Sequence, residues 1–197
     1  MDITKFCAPG DIRHYLHKPM RHDGYIYATN GHIAVRIVDD PSIDAGPIYD
    51  KLRATLPAMM EANGVDRTWR KVLPVDTSAA KPCKTCGGTG RTVTCESCDG
   101  DGEFSHAGHV YHCKECDGIG EVESSTEGAG AQCFDCNGSG LNWDESVQFD
   151  GVHIAARYLH LIGTEIPGAE IGISNDPTGI QLFRAPGVVG CVMPMRP

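Results

Sequence analysis

A chain of 197 residues with 41% hydrophobic side chains has room for one or two compact domains with ordinary cores. No apolar run approaches membrane-spanning length, and Met1-Asp-Ile-Thr-Lys5 lacks the apolar stretch of an export signal, so the expectation is a cytoplasmic protein with no membrane partner. The formal net charge is −9, and ten cysteines in a chain with no export signal point to metal rather than disulfides.

In chain order, residues 24–38 hold two β-rich runs around Asn30-Gly31, the dipeptide that most favours a tight hairpin. Residues 48–63 read as helical, with a break or restart at Pro57 and a stop at Gly64. Between 83 and 140 one phrase, C-x-x-C-x-G-x-G, occurs four times: Cys83/Cys86 to Gly90, Cys95/Cys98 to Gly102, Cys113/Cys116 to Gly120 and Cys133/Cys136 to Gly140. After it, Val147–Phe149 reads as a short strand. Asp150 is the expected N-cap of a helix whose apolar face is Val152, Ala155, Ala156, Leu159 and Ile162, ending at Gly163. His153, Arg157 and His160 fall on the opposite face, either a solvated surface or a binding stripe. Three strands follow, at 169–174, 179–184 and 188–193.

A C-x-x-C turn aims two thiolates at one point, and two such turns supply the four sulfurs of a tetrahedral Zn²⁺ site, so four turns predict two Zn²⁺ per chain. The glycines suit a backbone that curls round a metal at positive φ. A thioredoxin-like redox role is the competing chemistry, but it needs a cysteine left free of metal. His106, His109 and His112 could also ligate metal, yet eight cysteines suffice and the three read as surface residues. Cys7 and Cys191, each among apolar neighbours, read as small buried hydrophobes.

The fourfold motif resembles the cysteine-rich domain of the DnaJ co-chaperones over about residues 80–143. That resemblance implies that the first and fourth motifs share one zinc (Cys83, Cys86, Cys133, Cys136) and the second and third the other (Cys95, Cys98, Cys113, Cys116). No His-Pro-Asp tripeptide or helical J-domain accompanies it, so the family's action on an ATPase chaperone has no visible basis. The stretch from Glu121 to Ala131, before the last motif, reads as a flexible polar loop.

The flanks have a resemblance of their own. Asp11-Ile-Arg-His-Tyr-Leu16, then Tyr27-Ala-Thr-Asn-Gly-His-Ile-Ala-Val35, are similar to a strand and the A-T-D-G-H-R-L-A hairpin of bacterial DNA polymerase sliding clamps, and Val192-Met-Pro-Met-Arg196 to the clamp C-terminus V-M-P-M-R-L. Asn30, Ile33 and Pro197 depart from that pattern. The fold class implied is α+β: a clamp-like domain of two strand-helix-strands halves, at 1–79 and 144–197, interrupted by a two-zinc β-hairpin module at 80–143. By the same resemblance, Thr29, Gly31, His32, Met193, Pro194 and Met195 are candidates for a pocket that takes short peptides. His153, Arg157 and His160 are candidates for a stripe facing DNA. A clamp ring has six such domains, so encircling DNA would need a homo-hexamer of this chain.

The insert carries four basic residues against ten acidic ones, a surface that should repel a phosphate backbone. Protein or peptide is therefore the leading partner, with nucleic acid reachable through the clamp-like domain and not through the zinc module. The leading expectation is a non-enzymatic adaptor or chaperone-like polypeptide-binding protein. The alternatives are a reduced clamp acting in DNA replication and a thiol oxidoreductase. This pairing of parts suits a virus infecting a cell as well as the cell itself.

Overall fold

A computed structural model describes residues 1–61, 66–73, 75, 80–126, 128–136, 138–142 and 146–195. The elements run β1 (Met20–His22), β2 (Tyr25–Thr29), β3 (Ile33–Val38), β4 (Gly46–Pro47), α1 (Thr55–Met60) and β5 (Arg67–Lys71). They continue through β6 (Lys81–Pro82), β7 (Arg91–Thr94), β8 (Glu103–His106), β9 (His109–His112), β10 (Glu121–Glu123), β11 (Ala131–Gln132) and β12 (Leu141–Asn142). Last come β13 (Ser146–Phe149), β14 (Val152–Ala155), α2 (Ala156–Glu165), β15 (Glu170–Ser174), β16 (Gln181–Ala185) and β17 (Val188–Val192). Contacts divide the chain into two compact units, Met1–Thr77 with Trp143–Pro197, and Ser78–Asn142.

The first unit is built on an eight-stranded sheet in the order β4-β1-β2-β3-β17-β16-β15-β5. Side chains alternate along each strand, and here both faces are covered. Ile26, Ala28, Val35, Phe183 and Val192 enter a core closed by Tyr158, Leu159 and Ile162 of α2 and by Ile3 and Phe6 of an N-terminal 3₁₀ turn. Tyr27, Ala34, Leu182 and Cys191 enter the opposite layer with Leu56 and Met60 of α1. Each fully buried large side chain contributes about 1.5–3 kcal/mol through removal from water. Gly190 has no room for a side chain, since a Cβ there would lie 2.0 Å from Phe183 Cζ.

Several expectations from sequence are corrected here. The two halves are not equivalent: the second carries the ten-residue α2, whereas α1 has six residues and lies in the other layer. Residues 11–16 are not a strand. The Asp11 carboxylate accepts from the Arg13 backbone N–H at 2.8 Å, bending the chain into a 3₁₀ turn at His14–Leu16. Of the helix expected at 48–63, the described residues form a 3₁₀ turn at Asp50–Leu52 and α1 at Thr55–Met60, with Pro57 in the first turn of α1, where a missing N–H costs nothing; residues 62–64 lie outside the described ones. Asp150 caps no helix. It sits at φ +45° in the turn between β13 and β14, and Val152–Ala155 pair with β13 instead of beginning α2. Gly163 lies inside that helix.

In the second unit β7 lies between β10 and β11, β6 pairs with β12, and β8 with β9. The stretch 121–131 is therefore not wholly loop, because Glu121–Glu123 and Ala131 both pair with β7. Among its described residues, every buried side chain of the hydrophobic class is a cysteine. Its described residues form no hydrocarbon core.

Candidate metal centres and peptide cleft

The eight cysteines converge as two groups of four, Cys83/Cys86/Cys133/Cys136 and Cys95/Cys98/Cys113/Cys116, with the sulfurs of each group within 4.8 Å of one another. Each group can hold a metal ion. Four thiolates about 2.3 Å from a common centre form a tetrahedron with an edge of about 3.8 Å. The cross-motif separations match: Cys83–Cys133 3.9 Å, Cys86–Cys136 3.7 Å, Cys95–Cys113 3.9 Å and Cys98–Cys116 3.8 Å.

Backbone hydrogen bonds accompany the pairing. The first cysteine of each motif donates its N–H to the last glycine carbonyl of the paired motif: Cys83 to Gly140 and Cys133 to Gly90 at 2.9 Å, Cys95 to Gly120 at 2.9 Å and Cys113 to Gly102 at 2.8 Å. The final glycine of each motif then turns back, and its N–H reaches the second cysteine sulfur at 3.2–3.3 Å. A Cβ on that glycine would overlap the partner backbone, 2.4 Å from the Gly138 oxygen at Gly90 and 2.1 Å from the Gly100 oxygen at Gly120.

Burial opposes ionisation at Cys95 and Cys136, raising them to about 12 and about 11. In each group one thiol is shifted the other way. Against the same burial, the N–H groups of Gly88 and Gly90 hold Cys86 below its ordinary value, and the Gly120 N–H with neighbouring thiols brings Cys116 to about 7. A cation at the centre would favour the thiolate form of the cysteines whose ionisation burial opposes. His106, His109 and His112 stand exposed on the β8–β9 ribbon, outside both groups.

In the first unit the β2–β3 hairpin closes one residue later than Asn30-Gly31 predicts. The register pairs Thr29 with Ala34, Gly31 takes φ +91°, and Gly31-His32 form the tip. Asn30 spends its side-chain oxygen on the N–H groups of His32 (2.9 Å) and Ile33 (3.1 Å). The tail continues β17 past this loop, with Met193 N–H donating to the His32 carbonyl (2.8 Å) and Met195 N–H to that of His153 (2.7 Å).

A cleft of about 180 Å³ is thereby lined by Thr29, Gly31, His32 and Met193. Pro194 and Met195 line a second cleft, of about 340 Å³, which shares Met193 and Ile180 with the first. Sequence reasoning missed the other wall of the first cleft, Leu52, Leu56 and Met59, although the fourfold spacing of Leu52 and Leu56 was a readable signal.

The stripe of His153, Arg157 and His160 does not form on one helix, because His153 belongs to β14, where its Nδ1 lies 3.1 Å from Ser146 Oγ. Arg157 is exposed, with its guanidinium over the Tyr158 ring at 4.9 Å. Burial lowers the His160 pKa and disfavours its cationic form. No helix among the described residues is long and apolar enough to cross a membrane.

No family model matches this chain, and no curated protein does. Among solved structures it is similar to the DNA polymerase sliding clamp of Caulobacter crescentus, at 18% identity and a TM-score of 0.38, covering 100% of this chain and 62% of the clamp. A second structure, Caulobacter crescentus pol III beta, gives 18% identity, a TM-score of 0.37 and the same coverage. The chain thus spans 62% of the length of each, and a likeness of this degree carries no functional argument.

Proposed function

We propose that this chain is a non-enzymatic interaction protein: a clamp-like scaffold that receives short peptides in the cleft beside the β2–β3 tip, carrying a DnaJ-type module held by two Zn²⁺. The observation that carries the reading is the cleft itself. It joins a loop and a tail about 160 residues apart, and its wall combines Leu56, Met59, Ile180 and Met193 with the polar rim of Thr29, His32 and Arg13. Four sulfurs per metal favour Zn²⁺ and leave no position open for water or substrate, as in structural rather than catalytic sites. Cys7 and Cys191, the cysteines outside the two groups, are pushed by burial to about 12, which favours inert thiols over a redox pair.

The metal-held unit adds a second surface of the same kind. Phe104, Val110 and Tyr111 are exposed on the β8–β9 ribbon, with Phe104 and Tyr111 directly opposite each other, and this supports binding of extended, apolar polypeptide. Zinc supplies cross-linking only. The test is fluorescence polarisation of a labelled library of short apolar peptides against the zinc-loaded chain. Binding is expected in the micromolar range, weakened at least about tenfold by Met193→Lys, a charge worth about 1.4 kcal/mol or more in an apolar cleft. Absence of binding, or binding indifferent to Met193→Lys, overturns the cleft reading.

A further inference from the structure

The third residue of each C-x-x-C turn follows a pattern that the metal sites alone do not require: Thr85, Ser97, Glu115 and Asp135, two hydroxyls and then two carboxylates. In the folded unit each hydroxyl meets a carboxylate of the paired motif. Thr85 Oγ1 donates to Asp135 Oδ2 at 3.0 Å beside the first group, and Ser97 Oγ donates to Glu115 Oε2 beside the second. We propose that these four side chains determine which motifs share a metal, by favouring first-with-fourth and second-with-third over pairing of sequence neighbours. The inference rests on the metal reading above.

Neighbour pairing is the competitor that chain connectivity favours. Eight residues separate the first two motifs and 46 separate the first from the last, so closing the longer loop alone is roughly tenfold less probable. Its sulfurs would serve a metal equally well. Its third positions would not, because neighbour pairing sets Thr85 against Ser97 and Glu115 against Asp135. The second of those contacts places two carboxylates together beside four thiolates, where like charges repel and nothing donates to either. The observed pairing places one donor and one acceptor at both sites.

The experiment uses the full chain, refolded with cadmium-113, and proton–cadmium correlation spectra that report which cysteines share each ion. The native chain should show two cadmium signals, one correlated with Cys83, Cys86, Cys133 and Cys136 and the other with the remaining four. The variant Ser97→Asp with Asp135→Ser makes neighbours complementary and puts two carboxylates on the second-third pair. It should show new signals joining Cys83 and Cys86 to Cys95 and Cys98. A full reversal, Thr85→Asp, Ser97→Glu, Glu115→Ser and Asp135→Thr, restores complementarity to the native pairs and should give the native spectrum. Native correlations alone in the first variant, or metal loss in both variants alike, overturn the inference. If the unaltered chain takes up no cadmium in four-sulfur coordination, the metal reading itself fails.

Discussion

Single atoms decide whether the cysteine-rich unit can close. A methyl group on Gly90, already at φ +74°, would sit 2.4 Å from the Gly138 carbonyl oxygen, and neither backbone can retreat without breaking the Cys133-to-Gly90 hydrogen bond. Gly90→Ala should therefore weaken metal at the first site on the order of 100-fold and spare the second. Gly108→Ala meets no atom within 4 Å, so its φ of +79° strains only the β8–β9 turn and the first site should keep its metal. Competition against a chromophoric chelator measures both, and equal losses at the two sites would refute the local clash. Cys7 and Cys191 make a different residue-scale case. Burial moves each thiol from an ordinary 9.0 to about 12, so the folded state holds a proton that the unfolded chain releases first. The stabilisation is complete below pH 9.0 and is lost as pH rises toward 12. By about pH 10.5 each thiol has given up about 2 kcal/mol. Urea unfolding followed by tryptophan fluorescence should show a smaller alkaline loss in Cys7→Ala than in the native chain. Equal losses would mean that Cys7 ionises without penalty.

At the scale of elements, the hairpin tip shows how side chains replace backbone partners. Asn30 is the acceptor for two N–H groups of the turn, and Asn30→Ala should cost the first unit about 1–2 kcal/mol. Asn30→Asp presents the same oxygen and should cost less than half as much, as thermal unfolding would reveal; equal costs would mean that the oxygen is not what matters. This hairpin, the last three strands and the four cysteine turns were legible because each has a strong local signal. The start of α2 was not. Val152 and Ala155 fit a helical apolar face, but Val152 and Ile154 also alternate as a buried strand, and pairing with β13 settles between them. With Ala155 at the N-cap and no side-chain cap, nothing in the local sequence marked the true start. The same reason misplaced His153, whose element changed while its neighbours Arg157 and His160 stayed helical. The far wall of the cleft was only half-legible: the Leu52-to-Leu56 spacing shows in the sequence, but Leu52 lies in a 3₁₀ turn apart from the six-residue α1, and both reach the pocket through packing on strands remote in sequence.

Over the whole molecule, what fills each core and how charge is spread decide behaviour. The sheet unit has hydrocarbon on both faces, whereas the buried hydrophobic-class side chains described in the other unit are cysteines alone. A strong chelator should therefore unfold residues 80–142 and leave the sheet folded, since structural zinc can supply about 10–16 kcal/mol to a module of this kind. Limited proteolysis should then cut within that stretch first; simultaneous cleavage of both units would refute separate cores. Charge bears on the clamp-like alternative. The cysteine-rich unit is acidic, and in the sheet unit eight cations already face carboxylates, among them Lys5–Glu165, Arg13–Asp11, Arg21–Asp39 and Arg36–Glu61. Phosphate contacts through those eight would have to break their pairs, and each broken pair reduces the gain from counterion release. The isolated chain should hold duplex DNA only weakly at about 150 mM salt, and light scattering should give a mass well below six chains. Sub-micromolar duplex binding at that salt, lost in Arg157→Glu and retained without residues 80–142, would replace the adaptor reading with a clamp that acts on DNA.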